Sequence, residues 1–153
     1  MKTLINGRWT DRKEEKQSND GSFKRKDTEF RNWITPDGSP GETGVGGFKA
    51  ESDRYHLYVS LACPWAHRTL IFRKLKNLEP HIGVSIVHPI MLENGWEFRT
   101  DFSQCTGDQI LGKNSIFEVY LAADEDITSR ASVPVLWDVK QATIVSNESS
   151  EII

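Results

Sequence analysis

The spacing of apolar and polar positions changes near residue 54, and most of the predicted elements lie after that point. Tyr55-His56-Leu57-Tyr58-Val59-Ser60 is an apolar, alternating run that reads as a buried strand over about 54–60. Between 66 and 75 the apolar residues Ala66, Leu70, Ile71 and Leu75 recur at helical spacing. Pro64 is a favoured first helical residue, so a helix is predicted over about 64–76. A second strand follows at 83–87. Strand, helix and strand in that order make a βαβ unit with parallel strands. A long connection, roughly 88–131, carries turn signals at Glu93-Asn94-Gly95 and Thr106-Gly107-Asp108. Its one apolar stretch, 116–122, reads as a short helix. Two short strands, 133–138 and 143–146, suit a hairpin around Val139-Lys140-Gln141. Ser146-Asn147-Glu148-Ser149-Ser150-Glu151 is a helix start, with Asn147 or Ser146 as the cap and a carboxylate in the first turn.

Residues 1–53 are patterned differently and are expected to form an N-terminal arm, leaving 54–153 as an α/β domain. Leu4-Ile5-Asn6-Gly7-Arg8-Trp9 reads as a small hairpin, with Asn-Gly supplying the tight turn. Residues 11–29 are almost all charged or polar and read as an exposed loop. Phe30, Trp33 and Ile34 are candidate anchors of the arm. The Gly/Pro-rich loop at 36–47 lacks both the Gly-Lys-Ser/Thr ending and the preceding strand of a phosphate cradle. At the other end the last helix stops inside its first turn at Ile153. Short helices are not stable alone, so the chain is expected to be cut before that helix is complete.

Composition narrows the class. The 153 residues are enough for one domain with a sizeable core. A net charge of -3 with mixed signs gives no electrostatic footprint for nucleic acid. No apolar run approaches membrane-spanning length, and the first residues are too short in apolar character for a signal peptide. Two cysteines suit a reducing, cytoplasmic setting better than a disulfide framework.

Cys63 is the candidate reactive group. It falls between the strand at 54–60 and the helix that opens with Pro64, at or next to the helix N-cap. Unpaired N–H groups and the positive end of the helix dipole favour a thiolate there. The alternative is a buried structural cysteine, and the strand-Cys-Pro-helix context argues against it. The residue three positions on is Ala66, so Cys63 has no partner for a local disulfide. An oxidised Cys63 needs an outside thiol, and glutathione is the abundant intracellular one. The chemistry implied is monothiol: attack by the thiolate, a mixed disulfide, then attack by a second thiol. Cys105 has no such context and reads as a bystander. His67, four residues after Cys63, either helps hold the thiolate or faces solvent. A Cys63–His67 zinc site lacks a second ligand pair at metal spacing, so no metal is expected. Arg68 and Arg73 read as a solvated face.

The order βα-β-(insert)-ββ-helix start, with Cys-Pro at the first helix, is the thioredoxin-like plan. Several blocks go further, among them Phe30-Arg31-Asn32-Trp33, Cys63-Pro64-Trp65-Ala66-His67-Arg68, Glu93-Asn94-Gly95-Trp96, Ser132-Val133-Pro134-Val135-Leu136-Trp137-Asp138 and Ile144 to Ile153. With them the chain resembles the N-terminal half of the glutathionyl-hydroquinone reductases, the Xi class of glutathione transferases. The resemblance implies an α/β fold with a thioredoxin-like mixed sheet, a long N-terminal arm and a long insert between the second and third strands, cut before a helical second domain. It implies glutathione as co-substrate and glutathionyl-hydroquinones as the reduced substrates, with Cys63 as nucleophile. It matches Trp96 to a residue packing on glutathione, Val133 to one whose backbone bonds the cysteinyl part, Glu148 and Ser149 to the γ-glutamyl site, and Arg130 to a further contact. For the full-length form the resemblance also implies a homodimer.

On physical grounds alone several of these stay open. Trp96 fits loop packing as well as a ligand platform. Glu148 fits a solvated helix-start carboxylate as well as an ammonium acceptor. Ser149 and the N–H groups of the new helix suit a carboxylate. Pro134 fits a trans proline opening an edge strand, since cis is about 5–6% of X-Pro bonds; the resemblance favours cis. Two other functions compete: a non-catalytic glutathione-binding fragment, and a glutaredoxin-like or dehydroascorbate reductase activity at the same thiol.

Overall fold

The computed structural model describes residues 2–11 and 27–153. Most of the loop expected at 11–29 lies outside the described residues. Strands β1 (Lys2–Ile5) and β2 (Arg8–Asp11) pair antiparallel, with Leu4 opposite Trp9. Asn6 and Gly7 at the turn have φ of 47° and 70°, the pair of positive values that a two-residue hairpin of the favoured twist requires. Gly7 is needed for space as well, because a Cβ there would fall 1.9 Å from the Glu125 carbonyl oxygen.

The central sheet contains β3 (Tyr55–Val59), β4 (Ile82–Ile86), β5 (Val135–Asp138) and β6 (Thr143–Ser146) in the order β4-β3-β5-β6. Helix α1 (Pro64–Leu75) joins β3 to β4, which are parallel. Helix α2 (Ile116–Ala123) lies in the long insert, and α3 (Ser149–Ile152) follows β6. β5 runs antiparallel to β3, and β6 antiparallel to β5. This is the thioredoxin-like mixed sheet expected from the order of elements. β5 begins at Val135, two residues later than expected, because Pro134 has no N–H to give a ladder.

The hairpin packs on the domain. Leu4 is fully buried, and its N–H and C=O exchange hydrogen bonds with Ser129 at 3.0 and 3.1 Å. The Trp9 ring stacks on Phe117 of α2 at 4.7 Å. Two of the expected anchors reach the domain. Phe30 meets Tyr120 edge-on at 6.1 Å, and Ile34 packs against the core. Trp33 instead donates to the Thr43 hydroxyl within the arm.

Two buried polar clusters fix the sheet. At the start of β3, Arg54 Nε donates to both Asp138 carboxylate oxygens at 3.1 and 3.0 Å, and its Nη2 donates to Asp138 at 2.6 Å. The same guanidinium donates to the Gly47 carbonyl, tying down the Gly/Pro-rich loop. Further along, His56 Nε2 lies 2.8 Å from Ser85 Oγ, which accepts from Gln109 N–H. Tyr58 OH donates to Asp108, whose carboxylate also accepts from the N–H groups of Ile110, Leu111 and Lys113. Ser115 and Glu118 form a capping box that opens α2.

Burial holds the His56 imidazole down to about 4, with Arg73 acting in the same sense and Asp108 opposing. An unfolded histidine titrates near 6.5. Below that value the unfolded chain binds a proton that the folded chain refuses. Stability therefore falls as pH drops from 6.5 towards about 4, by up to about 3 kcal/mol at the low end. Urea unfolding across that window is expected to show the slope, and His56→Gln is expected to flatten it. An equal slope in the variant would assign the effect elsewhere.

Candidate active site

The backbone between β3 and α1 delivers Cys63. Ser60 O accepts from Cys63 N–H at 3.2 Å, and Ser60 Oγ accepts from Ala62 N–H at 3.2 Å, turning the chain out of the sheet. Cys63 is the N-cap of α1, in extended conformation with φ -100° and ψ 116°, and its carbonyl accepts from His67 N–H at 2.9 Å. Its side chain is not spent on capping, and the first turn holds no acidic residue. Sγ instead points across to the Val133 carbonyl at 3.5 Å. The Val133–Pro134 peptide is cis. Among the described residues the Val133 N–H makes no main-chain bond.

A cleft of about 380 Å³ opens beside this pair. Cys63, Trp96, Val133, Pro134, Glu148 and Ser149 all line it, so six of the seven expected residues converge. Arg130 does not; it lies on the exposed connection before Ser132. Trp96 is presented by a turn in which Leu92 and Gly95 exchange main-chain bonds, and its carbonyl accepts from Ile116 at the start of α2. Lys2 of the hairpin pairs with Glu93 at the tip of that turn at 2.9 Å.

Glu148, not Asn147 or Ser146, is the N-cap of α3. Ser146 is still in β6. Asn147 Nδ2 donates to Tyr120 OH at 2.9 Å, and its Oδ1 accepts from Phe30 N–H at 3.2 Å. Asn147 is thus committed to α2 and the arm. Glu148 Oε1 accepts from the N–H and hydroxyl of Ser150 at 3.3 and 3.1 Å.

The arginines on α1 also depart from expectation. Arg73 is half-buried and donates to the carbonyls of Ile82 and Glu79 at 2.7 and 3.1 Å, bracing α1 against the approach to β4. Arg68 lines the cleft, with its Cζ 4.8 Å from the Trp65 ring centroid. Trp65, Arg68, Ser132, Asn147 and Ser150 are the lining residues that sequence reasoning did not single out as ligand contacts. Trp65 and Arg68, three apart on α1, share a face with each other, but at two and five residues after Cys63 they lie off its face, so helical spacing gave no signal for them. His67 is exposed and lines an adjoining hollow with Pro64, Arg68, Ile71 and Phe72. Cys105 is half-buried, and its Sγ donates to the Val87 carbonyl at 3.4 Å; burial and the nearby Asp101 charge push its thiol up. Among the described residues no group of His, Cys, Asp and Glu side chains is placed to hold a metal ion. No helix among them is long and apolar enough to cross a membrane.

The family "Glutathione S-transferase, N-terminal domain" matches residues 62–153, a span that holds Cys63 and every other residue lining the cleft. The chain belongs to that family. It is 59% identical over 153 residues to the glutathionyl-hydroquinone reductase YqjG of Escherichia coli, covering 100% of this chain and 47% of that protein. The glutathione-bound structure of that protein superposes with a TM-score of 0.79 at 64% identity, covering 80% of this chain and 40% of the other. A Xi class glutathione transferase from Natrialba magadii gives a TM-score of 0.82 at 43% identity over 99% of this chain and 43% of its own. The chain spans about half the length of the curated relatives it matches.

The two thiols of this glutathione S-transferase domain differ in setting. Limited alkylation with iodoacetamide at neutral pH, followed by peptide mass mapping, is expected to label Cys63 well before Cys105. Equal labelling would mean that the N-cap position and the cleft confer no advantage.

Proposed function

We propose that this glutathione S-transferase domain performs the thiol chemistry of a glutathione-dependent reductase of glutathionyl-hydroquinones. The observation that carries the reading is the convergence of Cys63 Sγ, the Val133 backbone and the Glu148–Ser149 pair in one cleft. An extended γ-glutamyl-cysteinyl-glycine fits this arrangement as an added strand beside Val133, with its sulfur brought to Cys63. Trp96 packs on the peptide and Glu148 takes its ammonium. Ser149 is buried, and its hydroxyl forms no hydrogen bond among the described residues, which leaves it for the γ-glutamyl end. Arg130 is proposed to reach the same ligand from outside the lining residues.

The reaction then runs in two displacements. The Cys63 thiolate attacks the glutathione sulfur of the conjugate. An S–S bond forms, the carbon–sulfur bond breaks, and the electron pair leaves with the ring, which takes up a proton as the hydroquinone. A second glutathione thiolate attacks the mixed disulfide, releasing glutathione disulfide and restoring Cys63. One conjugate and one glutathione give one hydroquinone and one glutathione disulfide. A reducing cytoplasm, which keeps both cysteines as free thiols and supplies glutathione, fits this cycle.

The test is direct. With glutathionyl-hydroquinone and glutathione, the protein is expected to produce hydroquinone and glutathione disulfide in equal amounts. Cys63→Ser should abolish the protein–glutathione adduct seen by mass spectrometry and lower turnover by at least about 100-fold. Cys105→Ser should keep both. Trp96→Ala is expected to weaken glutathione binding about 10-fold, the size of one lost packing contact. An adduct on Cys105, or turnover by Cys63→Ser, would remove the proposal.

A further inference from the structure

Among the described residues that line the cleft, Arg68 is the one cation and Glu148 the one carboxylate. The Arg68 guanidinium is half-buried over the Trp65 ring, and among the described residues it donates no hydrogen bond and joins no ion pair. Arg31, Arg54 and Arg99 each pair with a carboxylate, and Arg73 is bonded to two carbonyls. A guanidinium is a planar fork of donors matched to the two oxygens of a carboxylate. A guanidinium held over an indole face has water excluded from that side.

Its position picks out which carboxylate. Helices α1 and α3 both begin at the cleft. Phe72 and Lys76, one and two turns after Arg68 on the same face, line an apolar groove with Ile152 and Ile153. Arg68 therefore stands one turn nearer the start of α1, on the side that meets the start of α3, where Glu148, Ser149 and Ser150 reach the cleft. Ser150 occupies Glu148 Oε1, and Oε2 accepts no bond among the described residues. One open carboxylate oxygen and one unpaired guanidinium thus line the same cleft.

We infer that Arg68 binds the α-carboxylate of the γ-glutamyl end of glutathione, beside the α-ammonium held by Glu148. The inference rests on the reading of the cleft as a glutathione site. The end of the peptide carries opposite charges on one carbon, and a cation and an anion facing the same space match it. Trp65 is the positioning residue, acting through the orientation it gives to Arg68.

Calorimetric titration of the protein with glutathione and two analogues tests this. One analogue has the γ-glutamyl α-carboxylate converted to the carboxamide, and the other has the glycine carboxylate so converted. The wild type should bind the γ-glutamyl carboxamide about 10- to 100-fold more weakly than glutathione, as expected for losing a charged hydrogen-bonded pair. Arg68→Gln should bind glutathione several-fold more weakly and distinguish it much less from that analogue, with Ser149 carrying the remainder. Its discrimination against the glycine carboxamide should equal that of the wild type. Arg68→Lys, which keeps the charge and loses the fork, should recover part of the affinity. Trp65→Leu, which leaves every charge in place, should reduce the discrimination without removing it.

Wild-type affinity for glutathione in Arg68→Gln would overturn the inference, as would undiminished discrimination against the γ-glutamyl carboxamide. Loss of discrimination against the glycine carboxamide instead would place Arg68 at the other end of the ligand and overturn it too. In these cases glutathione binding by the wild type still stands. Absence of glutathione binding in the wild type would overturn the proposed function itself, and this inference with it.

Discussion

The hydrogen-bond ladders on both edges of β3 decide where everything else can go. All five side chains of this strand are buried, and its two neighbours run in opposite senses. The parallel register sets Val59 opposite Ile86, and the Val87 N–H continues the ladder to the Val59 carbonyl. The antiparallel register sets Tyr58 opposite Val135. Past the end of β3 the chain must turn into α1 within a few residues, while the approach to β5 comes in from the other side. Cys63 and Val133 therefore meet, 70 residues apart in sequence, with Sγ 3.5 Å from a main-chain oxygen. Slipping either register by one residue would turn the buried side chains of β3 to the opposite face and separate that pair.

The long insert would be free to wander if apolar packing alone held it. Polar groups inside the protein need partners, and the insert supplies them: Gln109 N–H to Ser85, Asp108 to Tyr58, and Thr106 N–H to Ile86 O. Each bond costs little to make and more to break, because the group left behind is buried. The result is a tryptophan brought to the cleft by a segment anchored at several separate points. The Arg54–Asp138 pair does the same for the Gly/Pro-rich loop, and leaving either charge alone would be strongly destabilising.

What was legible in the sequence is what local chemistry decides. Asn-Gly forces the hairpin, alternation marks β3, Pro64 opens α1, and together they place Cys63 at a helix start. The resemblance then gathered Trp96, Val133, Pro134, Glu148 and Ser149 at the same cleft. What was hidden depends on partners distant in the chain. Asn147 looks like a cap, but Tyr120, 27 residues earlier, takes its amide, so Glu148 caps instead. Arg68 looks solvated because α1 has polar residues on more than one side, and only the arrival of α3 distinguishes the side that faces the cleft. Arg73 looks alike in sequence, yet it spends its donors on the carbonyls of Glu79 and Ile82. Leu4 belongs to a short hairpin that alone would be marginal, and it is buried only because Ser129 returns to it.

That last contact has a consequence for the order of events on the ribosome. The hairpin emerges well before the connection that receives it: Thr3 and Ser129, which are hydrogen-bonded, lie 126 residues apart. At elongation rates of about 5–20 residues per second, the interval is on the order of ten seconds. For that time Leu4 and Trp9 have no surface to rest on, and an Asn-Gly hairpin with an apolar side is left standing in solvent. Nascent-chain chaperones that shield short apolar segments therefore have an opportunity at this hairpin throughout that interval, before Val133 arrives to complete the setting of Cys63.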